Sequence, residues 1–115
     1  IWELSNQIST NRNLSGRDLS NAILVEARLS GSTFNSANLN SALLIRADLS
    51  GAKMRAALLT QADLTGANLA NVDLTGARLD NANLTSANLK GAILTSSTQN
   101  GTLFRNTTMP DGSIR

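Results

Sequence analysis

The chain has 115 residues, enough for one domain, with ten Lys and Arg against eight Asp and Glu and a formal net charge of +2. That balance is too weak to imply nucleic acid, a membrane surface or an acidic partner. Cys and His are both absent, which excludes disulfides, thiolate chemistry, His-ligated metals and every catalytic dyad or triad built on an imidazole. The only aromatic residues are Trp2, Phe34 and Phe104, too few for base-stacking platforms or aromatic cages. No apolar run approaches the roughly 18 residues of a membrane helix, so no membrane insertion is expected and a soluble protein, leaning cytoplasmic, is. The chain begins at Ile1 without a visible leader, which is equally compatible with a leader that has been removed.

At the N-terminus, Ile1, Leu4 and Ile8 are spaced i, i+3, i+7 and Trp2 adds bulk. Residues 1–9 therefore read as a short helical or irregular cover for an open end, and 1–13 as an N-terminal cap segment.

From Leu14 onward the period is five. Every fifth residue from Leu14 to Leu94 is large and apolar, including Phe34 and Met54. Two residues before each of these centres, from Ala22 to Ala92, stands Ala, with Ser32 and Val72 as the exceptions. A helix cannot use this pattern, because five residues advance about 500° and smear the Leu residues around it. A straight strand fails as well, because five is odd and successive centres would alternate faces. A turn inside every unit resolves the conflict. The two residues after each centre are the turn residues, and the second is often Gly or Asn, as a type II turn with φ > 0 favours. Gly16, Gly31, Gly51, Gly66, Gly76, Gly91 and Gly101 fill that slot, as do Asn21, Asn71, Asn81 and Asn106. Glu26, Arg46, Ala56 and Gln61 are poor there, and their corners are expected to use another turn type. Short sides, regular corners and inward apolar groups describe a solenoid.

Units such as Ala47-Asp48-Leu49-Ser50-Gly51, Ala62-Asp63-Leu64-Thr65-Gly66 and Ala67-Asn68-Leu69 resemble the A(D/N)LXX motif of the pentapeptide-repeat family. The resemblance implies an all-β fold, a right-handed quadrilateral β-helix with four pentapeptides per coil. Over residues 14–109 that makes about five coils, roughly 24 Å tall at the inter-strand spacing, behind a short N-terminal cap. Stacking at twenty residues then writes the inner columns. They are Leu24-Leu44-Leu64-Leu84-Phe104, Leu29-Leu49-Leu69-Leu89-Met109, Leu14-Phe34-Met54-Leu74-Leu94, and Leu19-Leu39-Leu59-Leu79, which breaks at Gln99. Arg12 and Arg17 occupy inward slots where an unpaired charge cannot be buried, so they are expected to escape past the open end.

At the other end Ser97, Gln99 and Thr102 erode the core pattern. Pro110-Asp111-Gly112 is expected to turn and stop the ladder, leaving 110–115 as a tail. The run Thr108-Met109-Pro110-Asp111-Gly112 is similar to the ending of many cyanobacterial members of the family.

The sequence offers no catalytic, cofactor-binding or metal-binding residues, and the reading is not an enzyme. Its hydroxyls have no base, and neither GxxxxGK[ST] nor GxGxxG occurs. Arg28 over Asp48 and Lys53 over Asp73, each twenty apart, read as cross-coil charge pairs on an exposed surface. The candidate partner patch is Ile23, Val25, Leu43 and Ile45, four outward aliphatics in adjacent coils. It is either structural cover or a surface for an unidentified protein partner or a second copy. Two alternatives follow from the resemblance or from the Thr content. One is a DNA-mimic regulator of DNA gyrase, disfavoured by a pI of about 9.9. The other is an ice- or surface-binding Thr array, disfavoured because Thr65–Thr85 and Thr75–Thr95 are single columns. Direct nucleic-acid binding is not expected.

Overall fold

A computed structural model describes residues 5 and 10–115; the cap expected over residues 1–9 lies outside the described residues apart from Ser5. From Asn13 to Thr108 the backbone pairs with itself in parallel at a register of twenty, from Asn13 with Thr33 to Asn88 with Thr108. Four pentapeptides therefore close one coil, and the coil is four-sided. Each side is so short that it contributes a single bridging residue, the one before the apolar centre. Three backbone bonds per unit tie the coils together. Leu44, for example, donates its N–H to the Asp63 carbonyl at 2.8 Å, Arg46 to Thr65 at 2.9 Å, and Asp63 in return to Ala42 at 2.9 Å.

Every corner from Leu14 to Gln99 closes with a hydrogen bond from the N–H three residues on to the carbonyl of the apolar centre, such as Ala67 to Leu64 at 3.0 Å. In each of these corners φ is positive at the second turn residue and not at the first, which is the type II geometry. The expectation that Glu26, Arg46, Ala56 and Gln61 would turn differently is wrong. Their φ values are 58°, 56°, 57° and 62°, and their closing bonds match the rest at 3.0–3.2 Å. The ladder overrides local preference. Each of these residues also donates its own N–H to a carbonyl of the next coil, as Glu26 does to Ile45 at 2.9 Å, so the left-handed conformation is held from two sides despite its cost of about 1–2 kcal/mol.

The core is the stack of centres with the Ala column between them. All centres from Leu14 to Leu89 and all second inward residues from Ala22 to Ala92 are buried, and Leu94, Phe104 and Met109 pack against them half-buried. Arg12 and Arg17 stand exposed at the open end, as expected. Ser32 replaces an inward Ala and is fully buried, with its Oγ accepting the Arg12 N–H at 3.1 Å.

In the last coil the inward Ala residues give way to Ser97, Thr102 and Thr107. Their hydroxyls donate to the carbonyls of Leu94 (2.7 Å), Leu79 (2.6 Å) and Leu84 (2.7 Å). Gln99 sits half-buried at the broken column and donates Nε2 to Ser97 Oγ at 2.9 Å. The apolar pattern thus ends in a polar layer whose hydroxyls are all engaged.

Pro110-Asp111-Gly112 does make a turn, with Gly112 at φ 88° donating to the Met109 carbonyl at 2.8 Å. It does not end the pairing. The tail reverses and lies antiparallel on the last side, with Thr108 bridged to Ile114. Thr107 and Arg115 exchange both backbone bonds at 3.1 and 2.9 Å. The Arg115 guanidinium lies 4.8 Å from the centre of the Phe104 ring, a cation–π contact that covers the half-buried terminal aromatic.

Candidate interaction surface

The four-sided coil leaves one backbone N–H per unit without a ladder partner, that of the first turn residue. Its treatment explains the motif. Where the residue before the centre is Asp or Asn, its Oδ1 turns back and accepts this N–H. Ser50 to Asp48, Thr65 to Asp63, Thr75 to Asp73 and Thr85 to Asn83 all measure 3.0 Å. At three other corners the oxygen comes from the turn residue one coil earlier: Asn35 serves Arg55 and Asn40 serves Thr60, both at 2.9 Å, and Asp80 serves Asn100 at 2.8 Å.

The aliphatic block breaks this scheme. Ile23 and Leu43 occupy the Asp/Asn slot in adjacent coils and are bridged to each other. Neither has an oxygen to offer, so the N–H groups of Val25 and Ile45 have no hydrogen-bond partner among the described residues. Ile23, Val25 and Ile45 are half-buried, and Leu43 is 38 % exposed. The structure thus brings all four sequence-predicted residues into one continuous outward block. Ile93 and Leu103 are exposed too, but each stands above a polar residue, Asp73 or Asn83, and forms no block.

On the far side of the same corner lies a groove of about 310 Å³ lined by Glu26, Arg28, Arg46 and Asp48. Arg46 Nε and Glu26 Oε2 pair across adjacent coils at 3.5 Å. Asp48 turns one oxygen to Ser50, accepting its N–H at 3.0 Å and its hydroxyl at 2.7 Å. The sequence reading missed this groove. Opposite charges at twenty-residue spacing on the corner itself, Glu26 over Arg46, were the signal.

The expected charge pairs are only half right. The backbones of Arg28 and Asp48 bridge, as do those of Lys53 and Asp73, but neither pair of side chains forms an ion pair among the described residues. Asp73 pairs instead with Arg55 Nη1 at 3.2 Å. A side chain in the middle of a side projects straight out, so its neighbour one coil away lies beside it. The corner residue leans back over that side and reaches the acid. The Thr75 hydroxyl first, then the Thr75 N–H and Arg55, hold the Asp73 carboxyl below its ordinary value. Ser20 and Ser113 do the same for Asp18 and Asp111.

Three of the four hydroxyls in the Thr columns are engaged. The hydroxyls of Thr65, Thr75 and Thr85 donate to Asp63, Asp73 and Asn83 at 2.6 Å. Among the described residues no group of three or more acidic residues is placed to hold a metal, and no helix is long and apolar enough to cross a membrane.

Comparison with known proteins follows this geometry. The model of the pentapeptide repeats matches in eight copies over residues 13–51, 22–61 and 62–98. No curated protein matches. Among solved structures, the chain is similar to Rfr23, a pentapeptide repeat protein from the cyanobacterium Cyanothece 51142. The two share 28 % identity at a TM-score of 0.67, over 95 % of this chain and 86 % of that one. A pentapeptide repeat protein of the Arabidopsis thaliana thylakoid lumen is 32 % identical, with a TM-score of 0.55 over 91 % of this chain and 70 % of its own. One from Nostoc Pcc 7120 is 37 % identical, with a TM-score of 0.56 over 70 % and 63 %. Such proteins form right-handed quadrilateral β-helices. The repeat match, the register of twenty and the capped Asp/Asn slot agree, and the chain belongs to the pentapeptide-repeat family.

Proposed function

We propose that this protein is a non-catalytic, right-handed solenoid of about five coils that serves as a structural or protein-interaction module. Its contact surface is Ile23, Val25, Leu43 and Ile45. One observation carries this reading. Among the described residues, this is the only place where two stacked Asp/Asn slots both hold aliphatic residues and the turn residues beside them are aliphatic as well. The substitution sacrifices two caps, each worth about 1 kcal/mol, and gains exposed apolar surface. Stability does not explain that exchange, whereas recognition does, since burying one such side chain against a partner contributes about 1.5–3 kcal/mol. Duplex mimicry fits less well, because acids and bases interleave around the corners, as in Glu26–Arg46 and Arg55–Asp73, and leave no acidic stripe.

The test is affinity capture from the native host with immobilised wild type beside Leu43→Asp with Ile45→Asp, each variant also sedimented alone. A partner held by wild type and lost by the variant supports the reading. The same proteins retained by both, with both monomeric, contradicts it.

A further inference from the structure

The two uncapped N–H groups define what chemistry the contact surface takes. Among the units centred from Leu14 to Phe104, several first turn residues lack a cap, including Ser30, Asn35, Asp80, Thr95 and Arg105. Within those units none of these stands above or below another uncapped one. Ser50 over Ser30 is served by Asp48, Arg55 over Asn35 by Asn35 itself, and Asn100 over Asp80 by Asp80 at 2.8 Å. Val25 and Ile45 are the one stacked pair of open donors in those units. They share one turn type and one register, so their N–H groups point the same way, one rung or about 4.8 Å apart. The two oxygens of one carboxylate, set outside the line joining the nitrogens, can each lie about 2.9 Å from one of them, the ordinary hydrogen-bond length.

We propose that this pair binds the carboxylate of an aspartate in an extended segment of a partner protein, with the aliphatic neighbours of that aspartate packed on Ile23 and Leu43. The inference rests on the reading of the block as a contact surface and names its ligand. The structure shows the complementary group many times over. An Asp or Asn oxygen from the same chain takes this N–H at Ser20, Ser50, Thr65, Thr75 and Thr85, and at positions 23 and 43 the group is missing. Charge favours Asp over Asn. Arg28 forms no ion pair among the described residues and lines the groove one corner away, where Glu26 and Asp48 are already engaged by Arg46 and Ser50. A second copy of this chain docking through the same block does not fit, because a two-fold contact sets donors against donors and supplies no acceptor.

The experiment follows the backbone amide resonances of Val25 and Ile45 in the full chain by two-dimensional NMR. The probes are acetyl-Leu-Asp-Leu-amide, its Leu-Ala-Leu counterpart and acetyl-leucine, which carries its carboxylate at a chain end. The expected result is that the Asp peptide moves both amides together and saturably at millimolar concentration, while the Ala peptide does not. Ile23→Asn with Leu43→Asn restores the missing caps and weakens the response at least about tenfold. An equal response to the Ala peptide, an undiminished response in the Asn variant, or saturation by acetyl-leucine alone overturns the proposal. Ile23→Ala with Leu43→Ala leaves the donors open and separates the two readings. Retained binding there supports the donor pair and removes the apolar contact, whereas binding lost in the Ala variant but kept in the Asn variant does the reverse.

Discussion

Oδ1 of Asp63 accepts two hydrogen bonds from Thr65, from its N–H at 3.0 Å and from its hydroxyl at 2.6 Å. The arrangement recurs at Asp18–Ser20, Asp48–Ser50, Asp73–Thr75, Asn83–Thr85 and, in the C-terminal turn, Asp111–Ser113. It gives the repeat its Asp or Asn before the centre and its Ser or Thr after it. Asp63→Ala removes the cap and should lower stability by about 1 kcal/mol, while Asp63→Asn keeps the acceptor and should change it by only a few tenths. Urea midpoints of the two variants check this. Equal losses would show that charge, not the acceptor oxygen, matters.

The corners predict a contrast in sign. Ala56 holds φ 57° without the freedom of glycine, so Ala56→Gly should stabilise the fold by up to about 1 kcal/mol. Gly51→Ala should destabilise by a similar amount through backbone strain alone, because an added Cβ meets nothing there. At Gly91 the same change drives the Cβ into the Asn71 Oδ1, and the loss should be larger than at Gly51. Thermal melts of the three variants give the order directly.

The width of the interior is fixed by the Ala column. Ala67 is 1 % exposed between the stacked centres. Ala67→Leu inserts a branched side chain where no space exists and should cost about 1–3 kcal/mol or more. An unchanged melting temperature would mean that the coil can widen.

Acid should lower the protein's stability. The carboxyls of Asp18, Asp73 and Asp111 are each held below the ordinary 3.8, first by a Ser or Thr hydroxyl. A group whose pKa is lower in the folded state adds stability above its unfolded value, and that stability is lost as pH falls through the folded value. Stability should therefore be flat from neutral pH down to about 4 and decline below it. Asp73→Asn, which retains the acceptor, should flatten the decline. Melting curves at pH 7 and pH 3 for both proteins measure it.

Most of the architecture was legible because the apolar period admits only one inward direction. The centres from Leu14 to Leu89 and the Ala column were named in the sequence and are buried. Turn type at Glu26, Arg46, Ala56 and Gln61 was not legible, since residue preference is local and the ladder that overrides it is not. The side-chain partners were missed for a related reason. Spacing of twenty fixes which backbones meet, and so Arg28 with Asp48, but not how far a corner side chain such as Arg55 leans. The tail was half legible. Pro110 and Gly112 announce a turn, whereas the return of Arg115 onto Thr107 and Phe104 depends on an unfilled edge that only the stacked coils create. The aliphatic block was visible as four apolar letters; its two open donors became visible once the purpose of the Asp/Asn slot was known.

In the proposed role, Ile23, Val25, Leu43 and Ile45 are held outward for recognition and do not brace the fold. The most direct measurement is the thermal melt of Leu43→Asp with Ile45→Asp beside wild type. That role calls for a cooperative transition within about 1 kcal/mol of wild type, as for substitutions on a free surface. A loss of several kcal/mol would show the block to be structural cover, and the interaction surface would have to be sought elsewhere on the solenoid.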